Sequence, residues 1–346
     1  MTKLSVIIPI YNTPRELLEH CLSSVQDNIR ALEEVEVLCV NDGSTEPYVE
    51  EILKETESQD KRFRYIPKLN NTGLSDTRNV GMGMAQGEYI VFIDADDYLE
   101  PDALQYMLDK IEETESEVVM FGYTEDDNYD KHQFRKLYTN ADRKELSIVL
   151  MSGDKKWRQR GFALCTAWAK IFKRDFILRN NLSYIKGVLA EDEIFALNFV
   201  NVIDKFYVDN KLVYHFVKND LSLTHTWNSQ IVNRMVYDFQ ILNEFVTNNY
   251  PKDKLIAKAM VLKTYSCIRT LKNRNFTHPQ NAKSFWELKS EMNDFLNNPV
   301  IKKWKKNLRL YDAEDLIDFK NRLLLKLHLY WYFLITERRK RKIFNC

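Results

Sequence analysis

The 346-residue sequence predicts an α/β fold with a mostly parallel central sheet, followed by an α-helical C-terminal region. Three observations carry that prediction. Short apolar, β-branched runs alternate with helical patterns over about the first 120 residues, as a parallel sheet covered on both faces requires. Polar clusters follow the first, second and fourth runs, which places them on one edge of such a sheet. From about residue 228 the pattern turns helical and rich in Tyr and Phe, with almost no glycine.

The elements follow in order. Residues 4–10, LSVIIPI, are a buried strand by length and composition. Thr13 is placed to cap the next helix, with Pro14 at its first position and Glu16 completing a capping box. Leu17, Leu18, Cys21, Leu22 and Val25 then recur at helical spacing. VEVLCV (35–40) is a second strand running into NDGST; a helix covers 46–58, and FRYI (63–66) is a weaker third strand. NNTGLSDTRNVGMGMAQG is a glycine-bearing loop leading into a helix. YIVFI (89–93) is the fourth strand, a helix begins near Pro101, and EVVMFG (117–122) is the fifth strand. The pattern is mixed between about 140 and 225.

Bulk properties set limits. The length suits two domains, and 45% hydrophobic with 29% charged residues suits a globular protein with a substantial core. Fifty basic residues balance 50 acidic ones, which excludes bulk attraction to nucleic acid. The balance is uneven along the chain. Residues 301–346 hold 13 Lys and Arg against 5 Asp and Glu, a net +8, so residues 1–300 carry −8. Five scattered cysteines show no CxxC pair, and with no signal peptide the expected compartment is the reducing cytoplasm. No run reaches 18 uncharged apolar residues; LLLKLHLYWYFLIT (323–336) is interrupted by Lys326 and His328.

Four clusters are candidates for chemistry, and each also has an ordinary reading. Asp94, Asp96 and Asp97 crowd three carboxylates at a strand tip. A DxD there can hold Mg²⁺ or Mn²⁺, or the cluster is a solvated turn offset by an Arg, a Lys or the helix that follows. Asp42 can accept hydrogen bonds from a base or ribose, or close an Asx-turn with Gly43 and Ser44. TGLSDTRN (72–79) can surround a phosphate with backbone amides and Arg78, or carry one exposed arginine. Glu191, Asp192 and Glu193 beside Ile194 and Phe195 suit a general base, or are an acidic first helical turn.

Taken together, SVIIPIYN, VNDGS, GLSDTRNVGMGMAQGEYIVFIDADD and EDEIF resemble, in order, the family 2 glycosyltransferases of bacterial polysaccharide synthesis, inverting enzymes of GT-A fold. The resemblance is strong over residues 3–104, scattered to about 225 (AWAKIFKRD, AEDEIF, YHFVKNDLSLT) and absent beyond. It implies a catalytic domain over 1–225, with a nucleotide-binding half (1–104) and an acceptor-side half (105–225), before a helical region with a basic tail at 226–346. It implies a UDP-sugar donor and an acceptor hydroxyl on a glycan or lipid-linked glycan, in the synthesis of capsules or other cell-surface polymers. The transferred sugar would be a hexose or N-acetylhexosamine. Pro9, Tyr11 and Asp42 match positions lining the uridine pocket, and Arg78 a position near the diphosphate. Asp94 and Asp96 match the DxD, with Asp96 the direct ligand of Mn²⁺ or Mg²⁺. Asp192 matches the base, though Glu193 beside it is a second candidate. Where the family often has an arginine this chain has Val217, leaving Lys218 as the substitute; His215 or His225 is a possible further metal ligand.

Two rival readings remain at the level of sequence. A nucleotidyltransferase on a related sheet needs a Gly-rich basic triphosphate loop, which IPIYNTPRE lacks. A non-catalytic sugar-nucleotide sensor or assembly protein has no need to keep Asp42, Asp94, Asp96 and Asp192. Trp157 and its basic neighbours are read as a lid over the donor or as a plain loop. The segment 323–342, ending in five consecutive basic residues (338–342), is read as a peripheral contact with anionic membrane or as a docked helix.

Overall fold

The structure is a computed structural model and describes residues 2–125, 133–153, 155–218, 228–313, 315–332 and 334–335. His225 and the basic run 338–342 lie outside the described residues. The chain divides into two units, the first made of 1–150 and 154–219, the second of 151–153 and 220–346.

In the first unit β1 (Leu4–Ile10) is buried at every position. It pairs in parallel with β2 (Val35–Asn41) on one side and β4 (Tyr89–Phe92) on the other; β2 pairs in parallel with β3 (Phe63–Pro67). A strand with neighbours on both edges and helices on both faces has no side for water, so its sequence is a continuous apolar run. The helices between these strands are α1 (Arg15–Ile29), α2 (Pro47–Gln59) and α3 (Leu74–Met84). α1 buries Leu18, Cys21, Leu22, Val25 and Ile29, one stripe at helical spacing. The expected capping box does not form. Pro14 stands just outside the helix with φ −51° and ψ 138°, and no side chain caps it. Thr13 is buried instead, its carbonyl accepting from the Tyr48 hydroxyl at 3.0 Å.

The remaining strands of this unit are β5 (Tyr98–Leu99), β6 (Val118–Thr124), β7 (Arg135–Thr139), β8 (Lys170–Lys173) and β9 (Lys205–His215). Among the described residues nine strands form one sheet, ordered β3–β2–β1–β4–β8–β6–β9–β5, with β7 also on β9. β8 lies antiparallel between β4 and β6, while β6 and β9 are parallel. Four strands were not expected: β5, β7, β8 and β9. The helices here are α4 (Ala103–Thr114), α5 (Arg143–Ser152), α6 (Lys155–Gln159), α7 (Arg174–Arg179) and α8 (Glu191–Val202).

The second unit holds α9 (Ile231–Asn249), α10 (Lys254–Leu271), α11 (Phe285–Asn297), α12 (Pro299–Lys305) and α13 (Leu316–Lys326), with a π-helical turn over Lys272–Phe276. The helix starts are well marked. Asp253 caps α10 by accepting from the Leu255 and Ile256 amides, and Ser284 with Glu287 forms a capping box on α11. Among the described residues no helix is long and apolar enough to cross a membrane.

Candidate active site

The parallel strands β1, β2 and β4 all end at one edge of the sheet, and the loops that follow them carry the site. Asn12, at φ 48°, joins the first two loops. Its amide donates to Ser44 Oγ at 3.0 Å, and its own Oδ1 accepts from the Thr45 amide at 2.8 Å. Pro9 is buried within β1 opposite Val40, and Tyr11 stands 40% exposed just beyond the strand. The Asx-turn expected of Asp42 belongs to its neighbour, since the Ser44 amide donates to Asn41 Oδ1 at 2.9 Å. Asp42 is buried and holds the glycine loop: it accepts from Lys68 Nζ at 2.6 Å, the Thr72 amide at 3.0 Å and the Gly73 amide at 2.9 Å. Gly43, at φ +67°, lies so close that a Cβ there would stand 2.7 Å from the Asn70 carbonyl carbon. Only glycine fits that approach.

Arg78 lies on α3, where a single basic residue reads as exposed. It is fully buried. Nη2 donates to Asp94 Oδ1 at 2.8 Å and Nη1 to Asp192 Oδ1, while Nη1 also lies 3.9 Å from Glu191. The guanidinium sits 5.3 Å over the Tyr184 ring, which stacks at 4.2 Å on Phe195, one turn along α8 from Asp192. Asn79 fixes Tyr184 through two backbone hydrogen bonds of 2.8 Å. Burial alone would lower the Arg78 pKa; Asp192 and Asp94 raise it by more, so the group stays a cation. Burial pushes Asp192 up against the opposing pull of Arg78. Burial and then Asp192 raise Glu191 to about 7.

The three crowded aspartates have separate environments. Asp94 is tied to Arg78. Asp97 is buried and accepts from the Tyr214 hydroxyl at 2.6 Å and the Val217 amide at 2.8 Å. Burial, then the charge of Asp94, raises Asp97 to about 8. Asp96 is partly exposed, and its own amide is the one donor to its carboxylate among the described residues. Burial and Asp94 push it to about 6. Among the described residues Asp94 and Asp97 are held by donors from other residues, while Asp96 has its own amide alone. Among the described residues no three carboxylate, imidazole or thiolate groups converge on one point. That donor set fits a hard divalent cation taking most of its ligands from water and phosphate. His215 is turned away, with Nε2 on Glu100 and its ring stacked at 4.4 Å on Tyr98. Lys218 pairs with Glu125 at 3.2 Å and is well exposed.

Sequence reasoning missed Lys170. It is fully buried, and Nζ donates to the carbonyls of Ala163 and Thr166, each at 2.8 Å, and to the Thr166 hydroxyl at 3.1 Å. The loop so fastened presents the Ala167 amide to Asp192 Oδ2 at 3.3 Å. Burial pulls the ammonium down to about 7. A four-residue strand beginning with lysine gives no local sign of this. Trp157 is not a lid. It is 8% exposed and packs on Tyr138 and Phe162 at 5.7 and 6.0 Å, because an indole gains more in the core than in water.

The comparisons with known proteins agree on a family. The family model described as "Glycosyl transferase family 2" matches residues 5–179. Glycosyltransferase GlyA of Streptococcus pneumoniae serotype 4 is 29% identical over 74% of this chain and 36% of its own length. Glycosyltransferase GlyG of the same organism is 30% identical over 64% of this chain and 73% of its own. The chain thus spans about a third of one of these relatives and about three-quarters of the other. Among solved structures, residues 1–349 of S. aureus TarS in complex with UDP-GlcNAc superpose with a TM-score of 0.66, covering 98% of this chain and 92% of that one at 16% identity. At that identity the likeness is one of fold.

Proposed function

The chain belongs to glycosyl transferase family 2, and on that premise we propose that it transfers a sugar from a UDP-sugar to a hydroxyl of a glycan or lipid-linked glycan acceptor, inverting the anomeric centre. The observation that carries this reading is Arg78, which joins Asp94 of the DxD to Asp192 of the EDE motif. A leaving-group side and a base side are thereby held a guanidinium apart.

In this reading Asp192 accepts the proton of the acceptor hydroxyl. The hydroxyl oxygen bonds to the anomeric carbon as the bond from that carbon to the diphosphate oxygen breaks, and the electron pair leaves with UDP. Arg78 and the Ala167 amide orient Asp192, and burial keeps it basic enough to take the proton. Asp42, with Pro9 and Tyr11, forms the nucleoside side, where Lys68 and the loop amides set the position of the Asp42 carboxylate. Asp96, with Asp94 beside it, would hold Mg²⁺ or Mn²⁺, which when bound neutralises charge on the departing diphosphate.

The TarS complex with UDP-GlcNAc supports a nucleotide-sugar donor, because the fold is shared across almost the whole chain. The test is a panel of nucleotide-sugars with purified full chain, with Mg²⁺, Mn²⁺ or chelator, reading released nucleotide and the mass of a glycan product. Release of UDP with a product one sugar heavier is the expected result. Release of pyrophosphate, or binding without turnover on any donor, would overturn it.

A further inference from the structure

We propose that Tyr214 is a positioning residue of the transfer reaction. Its buried hydroxyl sets the frame of the turn that carries Asp96, and its stacked ring ties that turn to the loop beneath Asp192. The inference rests on the proposed transfer and deepens it.

Asp94 to Asp97 form a tight turn beyond β4, closed by the Asp97 amide donating to the Asp94 carbonyl at 3.1 Å. The register of β4 with β1 ends at Phe92, so the Asp94 amide lies beyond the ladder. It donates instead to the Tyr214 hydroxyl at 3.1 Å, and the same hydroxyl donates to Asp97 Oδ2 at 2.6 Å. One hydroxyl can do both, since it carries one proton and two lone pairs. The other oxygen of Asp97 accepts from the Val217 amide at 2.8 Å. Both ends of the turn are thus gripped from the end of β9, and Asp96 stands between them with its own amide alone. The place of the Asp96 carboxylate is then set by the place of Tyr214.

The ring is as constrained as the hydroxyl. Tyr214 is 1% exposed and stacks on Trp168, with centroids 4.8 Å apart and planes 4° apart; Tyr123 of β6 meets the same indole edge-on at 4.8 Å. Trp168 belongs to the loop that Lys170 fastens. Its carbonyl accepts from Lys170 Nζ at 3.4 Å and from the Thr166 hydroxyl at 3.3 Å. The residue before it, Ala167, gives its amide to Asp192. The residue after it, Ala169, holds φ 52°, a left-handed conformation that is costly for a residue with a Cβ. Such strain persists where the surroundings over-determine the backbone, and here it lies at the junction of β8 with the loop under Asp192.

A buried tyrosine ordinarily finds some partner for its hydroxyl, and a phenylalanine would fill the same core. The choice of partners sets Tyr214 apart, because both lie in one turn, on either side of Asp96. Groups that orient metal ligands without touching the metal change metal affinity about 10–100-fold.

The experiment is calorimetry of UDP with the full chain, with Mn²⁺ or with chelator. Tyr214→Phe keeps the stacked ring and removes only the hydroxyl. It is expected to weaken UDP binding about 10–100-fold with Mn²⁺ and to leave binding with chelator unchanged. Trp168→Phe is expected to weaken Mn²⁺-dependent binding in the native background and to add nothing in the Tyr214→Phe background, because the hydroxyl through which it acts is then gone. The melting temperature reports that each variant is folded. Native affinity in Tyr214→Phe, or equal weakening with Mn²⁺ and with chelator, overturns the proposal while leaving the transfer reading in place. Equal losses from Trp168→Phe in both backgrounds overturn the link through the indole. A native chain that binds UDP no better with Mn²⁺ than with chelator overturns the metal-assisted reading and this inference with it.

Discussion

The buried Arg78 guanidinium forms an ion pair with the partly exposed Asp192 across 114 residues of sequence and holds Asp94 at 2.8 Å as well. Replacing Arg78 by Met leaves two carboxylates facing each other with no cation between them. Removing one partner of a fully buried pair costs about 3–5 kcal/mol, and with both carboxylates partly exposed Arg78→Met is expected to lose stability up to that scale, with transfer abolished. Urea unfolding measures it. A variant as stable as the native chain would show that the pair carries no such weight.

Asp192→Asn is expected to lower turnover on the order of 10²–10⁴-fold, the range for loss of a general base. Donor affinity should change little if, as proposed, Asp192 acts on the acceptor hydroxyl. Glu191→Gln and Glu193→Gln are the comparisons. If either cripples turnover while Asp192→Asn is mild, the base lies elsewhere in the EDE motif.

Asp96→Asn is expected to weaken metal-dependent UDP binding about 10–100-fold or more, the scale on which metal sites respond to loss of supporting groups. Since burial raises Asp96 to about 6, binding should also fall as pH drops through that value, when the carboxylate takes a proton. Calorimetry with Mn²⁺ and with chelator measures both effects. Equal affinity with chelator present would remove Asp96 from the metal.

Asp97 gives a stability signature. Its folded pKa of about 8 lies above the unfolded value of about 3.9, so the folded state binds that proton more tightly. Its contribution to stability is fully present below about pH 4 and is lost as pH rises through about 8. Asp97→Asn is expected to flatten the fall in stability between about pH 4 and 8, the window those two values bracket. Parallel stability curves for the two proteins would count against the buried proton.

Lys170→Met leaves the Ala163 and Thr166 carbonyls without their buried donor, at a cost of about 1–3 kcal/mol. The loop it fastens carries the amide on Asp192, so turnover should drop while the donor KM stays near native. A fall in stability with turnover unchanged would make Lys170 a structural residue alone.

The fold was legible where a strand was buried on both faces. β1, β2 and β4 announce themselves as apolar runs because water reaches neither side. β7 does not: four of its five residues are exposed, as on an edge, and its sequence RKLYT looks like loop. β9 was obscured by polar residues in mid-strand, where its register with β6 shifts after Phe121. The site was legible as a set of motifs on one sheet edge. What joins them was not. A lone arginine on a helix reads as solvated, and nothing near Arg78 in sequence reveals partners 16 and 114 residues away. Lys170 goes unnoticed in the sequence, and Trp157 reads as lid or loop, for the same reason, since burial is a tertiary property.

The position of β8 has a consequence for the nascent chain. It fills the gap between β4 and β6, so β4 keeps one open edge until Ile171, its first partner in β8, has been made, 79 residues after Phe92 (171 − 92). At translation speeds of about 5–20 residues per second that delay is roughly 4–16 s. During it, the hydrogen-bonding groups of an apolar strand are exposed to any other extended chain nearby. A fragment ending at residue 104 would contain the nucleotide-side motifs and remain in that open state permanently. The antiparallel strand inserted late is what turns a sticky half-sheet into a finished molecule.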